Sequence, residues 1–189
     1  LLHLSAFQVA SLRIVFSGLV LLPWAFKQFK KVPLNKLPVI FMSGVLGSLL
    51  PAYLFCLAET EIDSALAGTL NSLTPIFVII TGALFFSSKT SSNKIVGILV
   101  AFMGSILLLF SKGYILQSQN MMYVSFVVIA TICYGFNVNM VYKYLQNIGS
   151  LQIAALALSL NAIPALFVLY LTGYFNLPFT DTGVLYSTG

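Results

Sequence analysis

One arginine, Arg13, stands inside an apolar run, and a guanidinium there is a permanent positive charge whose planar fork can hold a carboxylate or a phosphate. A second cluster is Asn71-Ser72-Leu73-Thr74-Pro75. Pro75 has no backbone N–H, so the carbonyl four residues earlier, at Asn71, loses its helical donor, and the side chains of Asn71, Ser72 and Thr74 surround that break with donors and acceptors. Further along, Tyr134 and Asn137 are three apart and share a helical face, and Asn161 follows Ser159 in another apolar run. One cation with amides and hydroxyls is the equipment of a solute-binding site. Each feature also has a structural reading: Arg13 as a clamp on neighbouring carbonyls, Pro75 as a packing kink, the amides as glue between helices. Pro51 and Pro164 admit the same two readings with less polar company.

Catalysis lacks its parts. Cys56 and Cys133 lie within apolar runs and read as small buried hydrophobes, His3 is the one histidine, and no Asp or Glu falls inside an apolar run. No metal, cofactor or enzymatic activity is expected. There is no Gly-x4-Gly-Lys-Ser/Thr loop, which argues against direct use of a nucleoside triphosphate.

The elements that must position these residues are set by composition. Hydrophobic residues make up 59% of the 189 and charged residues 7%, too few charges to keep a folded chain in water. The net charge of +5 sits between apolar runs rather than on one basic face, so nucleic acid is not an expected partner; the lipid bilayer is. A crossing needs about 20 apolar residues. Six runs meet that: about Leu4 to Phe26, Leu37 to Ala58, Ser64 to Phe86, Ile95 to Phe110 (short without its flanks), Met121 to Tyr144 and Leu151 to Tyr174. In hydrocarbon they should be helices, giving an all-α integral membrane bundle. Counted from the first run, Arg13 lies about 14 Å deep. Lys27, Lys30, Lys31, Lys36, Lys89, Lys94 and Lys143 fall in the odd loops and Lys112 alone in the even ones, which places the odd loops inside. Trp24, Tyr53 and Tyr114 near span ends read as interfacial aromatics. Gly44 and Gly47, Ser64 and Gly68, and Gly97, Ala101 and Gly104 read as smooth packing faces.

An offset of 144 residues sets Phe7-Gln8-Val9-Ala10-Ser11-Leu12-Arg13 against Leu151-Gln152-Ile153-Ala154-Ala155-Leu156-Ala157. The lysine pattern makes the first run cross outside-to-inside and the sixth inside-to-outside. Matching helices of opposite direction are the mark of inverted repeats, a recurrent construction in secondary transporters. The offset calls for a partner of the fifth run just before Leu1.

The stretch Ala65 to Phe77, reading Ala-Leu-Ala-Gly-Thr-Leu-Asn-Ser-Leu-Thr-Pro-Ile-Phe, followed by Gly97-Ile98-Leu99-Val100-Ala101-Phe102-Met103-Gly104, resembles the EamA-type family of the drug/metabolite transporter superfamily. Leu12-Arg13 fits that family's second helix, and Cys133-Tyr134-Gly135 with Asn137 fits the start of its second repeat. The resemblance implies inverted five-helix repeats, ten helices in all, of which this chain shows about six: helices two to five in 1–116, and helices six and seven with the approach to the eighth in 117–189. One departure stands out: Ser87-Ser88-Lys89-Thr90 occupies the place of a Gly-Glu-Arg or Gly-Glu-Lys segment. The resulting expectation is a secondary transporter, an exporter of small organic metabolites such as amino acids, working by alternating access in a bacterial inner membrane. Arg13, Asn71, Ser72, Thr74, Pro75, Tyr134, Asn137 and Asn161 are its candidate pathway residues. A channel, or a structural subunit without a transport cycle, is the alternative.

Overall fold

The computed structural model describes residues 4–88, 91–111 and 121–176, and every regular element among them is helical. The first span is α1 (Ala6–Phe29). The second is interrupted: α2 (Leu37–Gly44) passes through a π-helical segment, Val45–Leu49, into α3 (Leu50–Ala58). The third is divided into α4 (Ser64–Asn71) and α5 (Thr74–Phe85). Then come α6 (Ser92–Ser111), α7 (Met121–Tyr144) and α8 (Ser150–Leu171). Among the described residues five spans are long and apolar enough to cross a bilayer, and the expected fourth crossing coincides with α6, a helix of 20 residues. Tyr114, Lys89, Lys112, Asp181 and the expected division at 116/117 lie outside the described residues.

Each end of a helix leaves backbone groups without intrahelical partners, and water cannot supply them inside a membrane. The α1–α8 pair, the most extensive contact in the bundle, meets this demand twice in the same way. Gln8 Oε1 accepts from its own N-cap, Ser5 N–H, at 2.9 Å, and its Nε2 donates to the Thr172 carbonyl at the far end of α8 at 3.0 Å. Gln152 Oε1 accepts from Gly149 N–H at 3.1 Å, and its Nε2 donates to Gln28 Oε1 at the far end of α1 at 2.7 Å. Ser5 and Gly149, Gln8 and Gln152, and Gln28 and Thr172 are all 144 residues apart. The helices are therefore antiparallel, and their contacts interchange under the offset read from the sequence. At the centre of the pair, a Cβ on Gly18 would lie 2.7 Å from that of Ala162, again its counterpart at 144.

A second close approach joins α5 to α7. A Cβ on Gly135 would come 2.8 Å from the Phe77 carbonyl group, so only glycine lets the two backbones meet there. One turn on, Asn139 Nδ2 donates to the Val78 carbonyl (2.8 Å), Thr81 Oγ1 (3.0 Å) and the Gly135 carbonyl (2.9 Å), and its Oδ1 rests over Gly82. Asn139 thus ties α7 to α5 by two hydrogen bonds, and nothing in the sequence had set it above its neighbours. Of the expected smooth faces, Gly44 and Gly47 do meet neighbours, whereas Gly68, Gly97 and Gly104 have open space above them among the described residues. The Tyr53 hydroxyl lies 2.8 Å from Ser11 Oγ and ties α3 to α1.

Apolar packing forms separate clusters. At the lysine-bearing end, Ile40 of α2 packs with Ala25, Val32, Leu145, Ile153 and Leu156. At the opposite end, Ala58, Ile62, Leu66 and Ala67 pack with Val127 of α7.

Because the Gly135 contact is backbone to backbone, Gly135→Ala should lower thermal stability in detergent and Gly135→Val should lower it further, by about 1–3 kcal/mol, as overpacking of a tight contact does. An unfolding curve for Gly135→Val matching the parent's would show that this approach is not needed.

Candidate functional site

The site begins with two interrupted helices. In the third span the proline does more than kink. α4 stops at Asn71, and Pro75 takes the second position of the new helix α5, where an N–H is not required. The Asn71 carbonyl, deprived of its donor, accepts instead from Thr74 Oγ1 at 2.8 Å, which also reaches Asn71 Oδ1 at 3.1 Å. Ser72 Oγ donates to the Thr69 carbonyl at 2.6 Å. The run Asn-Ser-Leu-Thr-Pro thus carries its own caps, and a helix break can persist at membrane depth.

In the second span the comparable element is Pro51, at the start of α3 and buried. Ahead of it the helix widens, with Leu50 N–H bonding back five residues to the Val45 carbonyl. Such π turns are frequent at functional sites. No residue of this one is buried, and Gly47 and Ser48 face the cavities.

Four cavities adjoin one another around these breaks. The largest, about 1080 Å³, is lined by Asn71, Ser72, Thr74 and Pro75 from the third span and by Tyr134, Asn139 and Tyr142 from α7. A second, about 380 Å³, shares Asn71 and Tyr134 with it and adds Arg13, Ser17, Ser48, Phe55 and Glu59. A third, about 640 Å³, shares Gly47, Ser48 and Leu158 with the second and holds Ser43 and Asn137. A fourth, about 280 Å³, adjoins the largest through Ser88, Asn139 and Tyr142 and contains Lys143.

Arg13 is the cation of the second cavity. α1 begins at Ala6, so Arg13 is about 10 Å along its helix, shallower than the six-run reading placed it. Helical side chains lean toward their own N-terminus, which carries the guanidinium toward the end of α3, within electrostatic reach of Cys56 and Tyr134. The sequence shows no acid inside an apolar run to neutralise it. In the folded chain Glu59, which caps the end of α3, lines the same cavity, although the two charges form no ion pair. Glu59 was missed because it follows an apolar run rather than standing in one.

Of the eight candidates, Arg13, Asn71, Ser72, Thr74, Pro75 and Tyr134 line the two cavities that meet at Asn71 and Tyr134, and Asn137 lines the third. Asn137 Oδ1 also accepts from Ser43 Oγ at 2.7 Å. Asn161 is not among the residues lining these cavities. It is fully buried between helices, its Nδ2 donating to the carbonyls of Phe41 (3.1 Å) and Ala157 (2.8 Å) and crowding Gly44, while its Oδ1 has no partner among the described residues. It ties α8 to α2. No group of three or more His, Cys, Asp or Glu side chains able to hold a metal occurs among the described residues.

Comparison with known proteins follows the same lines. The chain is 26% identical over 166 residues to an uncharacterized transporter of Archaeoglobus fulgidus, covering 85% of this chain and 56% of that protein. It is 30% identical over 115 residues to a WAT1-related protein of Arabidopsis thaliana, covering 56% of this chain and 32% of that one. The chain thus spans about half the length of the first relative and a third of the second. No solved structure matches it. The family model for EamA-like transporters matches residues 1–110, which include both interrupted spans, Arg13 and the Asn71 to Pro75 break. Multi-pass, all-helical and related to transporters rather than to enzymes, the chain belongs to the EamA-like transporter family, within the drug/metabolite transporter superfamily.

Proposed function

We propose that the connected cavities are the solute pathway of a secondary transporter, and that Arg13, Asn71, Ser72, Thr74, Pro75, Tyr134 and Asn137 line its binding region. The observation that carries this reading is the meeting of two cavities at Asn71 and Tyr134, beside a self-capped helix break and within reach of the one arginine. Polar groups grouped round a broken helix at membrane depth can replace a solute's hydration shell. The solute class is a small organic metabolite such as an amino acid, its acidic group held by Arg13. The interchange of α1 and α8 contacts at the 144-residue offset supports two inverted repeats divided near 116/117, and alternating access between them. The lysine distribution supports odd loops facing the cytoplasm of a bacterial inner membrane, with export as the physiological direction.

The full-length chain reconstituted in liposomes should show saturable uptake and counterflow for at least one member of a panel of radiolabelled amino acids; a channel would give flux without counterflow. Arg13→Ala should cut that counterflow at least tenfold, roughly 1.4 kcal/mol of binding or more, with helical content unchanged. Full activity in Arg13→Ala would remove the arginine from the pathway. Single cysteines at Thr60 and Lys30 should react with a membrane-impermeant maleimide from opposite sides, Thr60→Cys from outside; labelling of Thr60→Cys only from the cytoplasmic side would reverse the orientation.

A further inference from the structure

Lys143 stands near the end of α7, where a cation is expected to meet the last helical carbonyls. That place is taken by Lys36, whose Nζ donates to the Tyr144 carbonyl at 2.9 Å. The Lys143 ammonium instead lies over two rings, 5.6 Å from the centre of Phe86 and 5.7 Å from that of Tyr144. Ring faces attract an ammonium but carry no net charge, so they fix its place without neutralising it. The carboxylates are remote. Glu59, Glu61 and Asp63, the acids among the described residues, all lie at the turn between α3 and α4, at the end of the bundle where α7 begins rather than where it ends.

What adjoins this ammonium is polar. α5 closes with the Phe86 and Ser88 N–H groups both donating to the Gly82 carbonyl, at 3.1 and 2.9 Å, and the chain turns through Ser87 in the left-handed region, φ 53°. That turn sets Ser87 and Ser88 on the wall of the fourth cavity together with Tyr142, Lys143 and Gln146. The same cavity shares Ser88, Asn139 and Tyr142 with the cavity of about 1080 Å³ that holds the Asn71 to Pro75 break. Along α7, Lys143 is nine residues beyond Tyr134, about 14 Å at the helical rise, and Tyr134 shares the second cavity with Arg13. The two cations therefore stand at opposite ends of one connected series of polar-lined spaces.

We propose that the fourth cavity is an anion-capture site at the lysine-bearing mouth of the pathway, where Lys143 takes the carboxylate of an incoming solute and the Ser87 and Ser88 hydroxyls donate to it. From there the solute passes Asn139 and Tyr142 to the helix break and Arg13. Because the ammonium is exposed, it also draws anions and repels amines before contact, so the mouth favours solutes that carry an acidic group. A lipid phosphate shares this chemistry, but the polar wall continuous with the largest cavity suits a solute that moves on. This inference rests on the transport reading of the cavities, and one arm of its test is independent of transport.

In the detergent-solubilised full-length chain, acetylation of lysines by an N-hydroxysuccinimide ester, located by mass spectrometry, should be slowed about threefold or more at Lys143 by succinate, an amine-free carboxylate, relative to chloride of equal ionic strength, with Lys30 unaffected. Equal rates at Lys143 in the two salts overturn the site. In liposomes, Lys143→Gln should raise the KM of an amino acid that shows counterflow about fivefold or more with little change in maximal rate, and Lys143→Arg should keep the parent KM. The Lys143→Gln effect should fade at about 1 M potassium chloride, where the Debye length is about 3 Å. A KM within about twofold of the parent's in Lys143→Gln, or a fall in maximal rate alone, overturns the capture while leaving transport intact. The KM change should be the same in phosphatidylcholine vesicles with and without phosphatidylglycerol; a change confined to the anionic vesicles assigns Lys143 to a lipid phosphate and overturns the capture too. Protection of Lys143 by succinate without counterflow of any amino acid would leave the anion site standing and sink the transport reading.

Discussion

In hydrocarbon a backbone carbonyl that loses its donor has no water to turn to, and the rest of this structure depends on how that constraint is met. An unbroken helix satisfies it internally, but an unbroken helix cannot bend around a solute. Here the two interrupted spans answer it in different ways. The third supplies a hydroxyl one turn away, Thr74 to the Asn71 carbonyl, so the break is satisfied by its own sequence. The second widens into a π turn ahead of Pro51, spreading the irregularity over five residues whose polar members face a cavity.

Between helices the constraint takes another form. Lipid is as apolar as leucine, so burial alone does little to hold two membrane helices together, and close packing with a few polar ties must do it. The described bundle pairs amides with glycines: Asn139 over Gly82, Asn137 over Gly47, Asn161 over Gly44. Each amide needs the room that a missing Cβ leaves, and each then reaches a carbonyl or a hydroxyl across the interface. Asn161 leaves one acceptor without a partner, a cost of about 1–3 kcal/mol for a buried group, which its two donated bonds offset. Gly44, Gly47 and Gly82 are therefore one half of a set of contacts whose other half lies 57 to 117 residues away in sequence.

The electrostatic character of the cavities follows from the same scarcity. With few charges in the membrane, the position of each matters. Arg13 and Glu59 line one cavity from different helices and form no ion pair with each other. A fixed ion pair would have neutralised the site.

Much of this was legible in the sequence. Apolar length determined the spans, because the bilayer thickness admits little else; Pro51 and Pro75 stand at the two interruptions, whereas Pro23 and Pro164 lie inside continuous helices, so a proline alone did not mark a break. The echo at 144 residues held the two glutamines that cap α1 and α8 alike. Tertiary structure alone decided what each polar residue does. Tyr134 and Asn137 share a helical face yet line different cavities, Asn161 became a tie, Asn139 became the main bond between α5 and α7, and Glu59 arrived beside Arg13. The physical reason is that a side chain's role in a membrane is set by which neighbour offers it a partner or a space, and those neighbours belong to other helices. A periodicity along one helix can name a face, but not what that face meets.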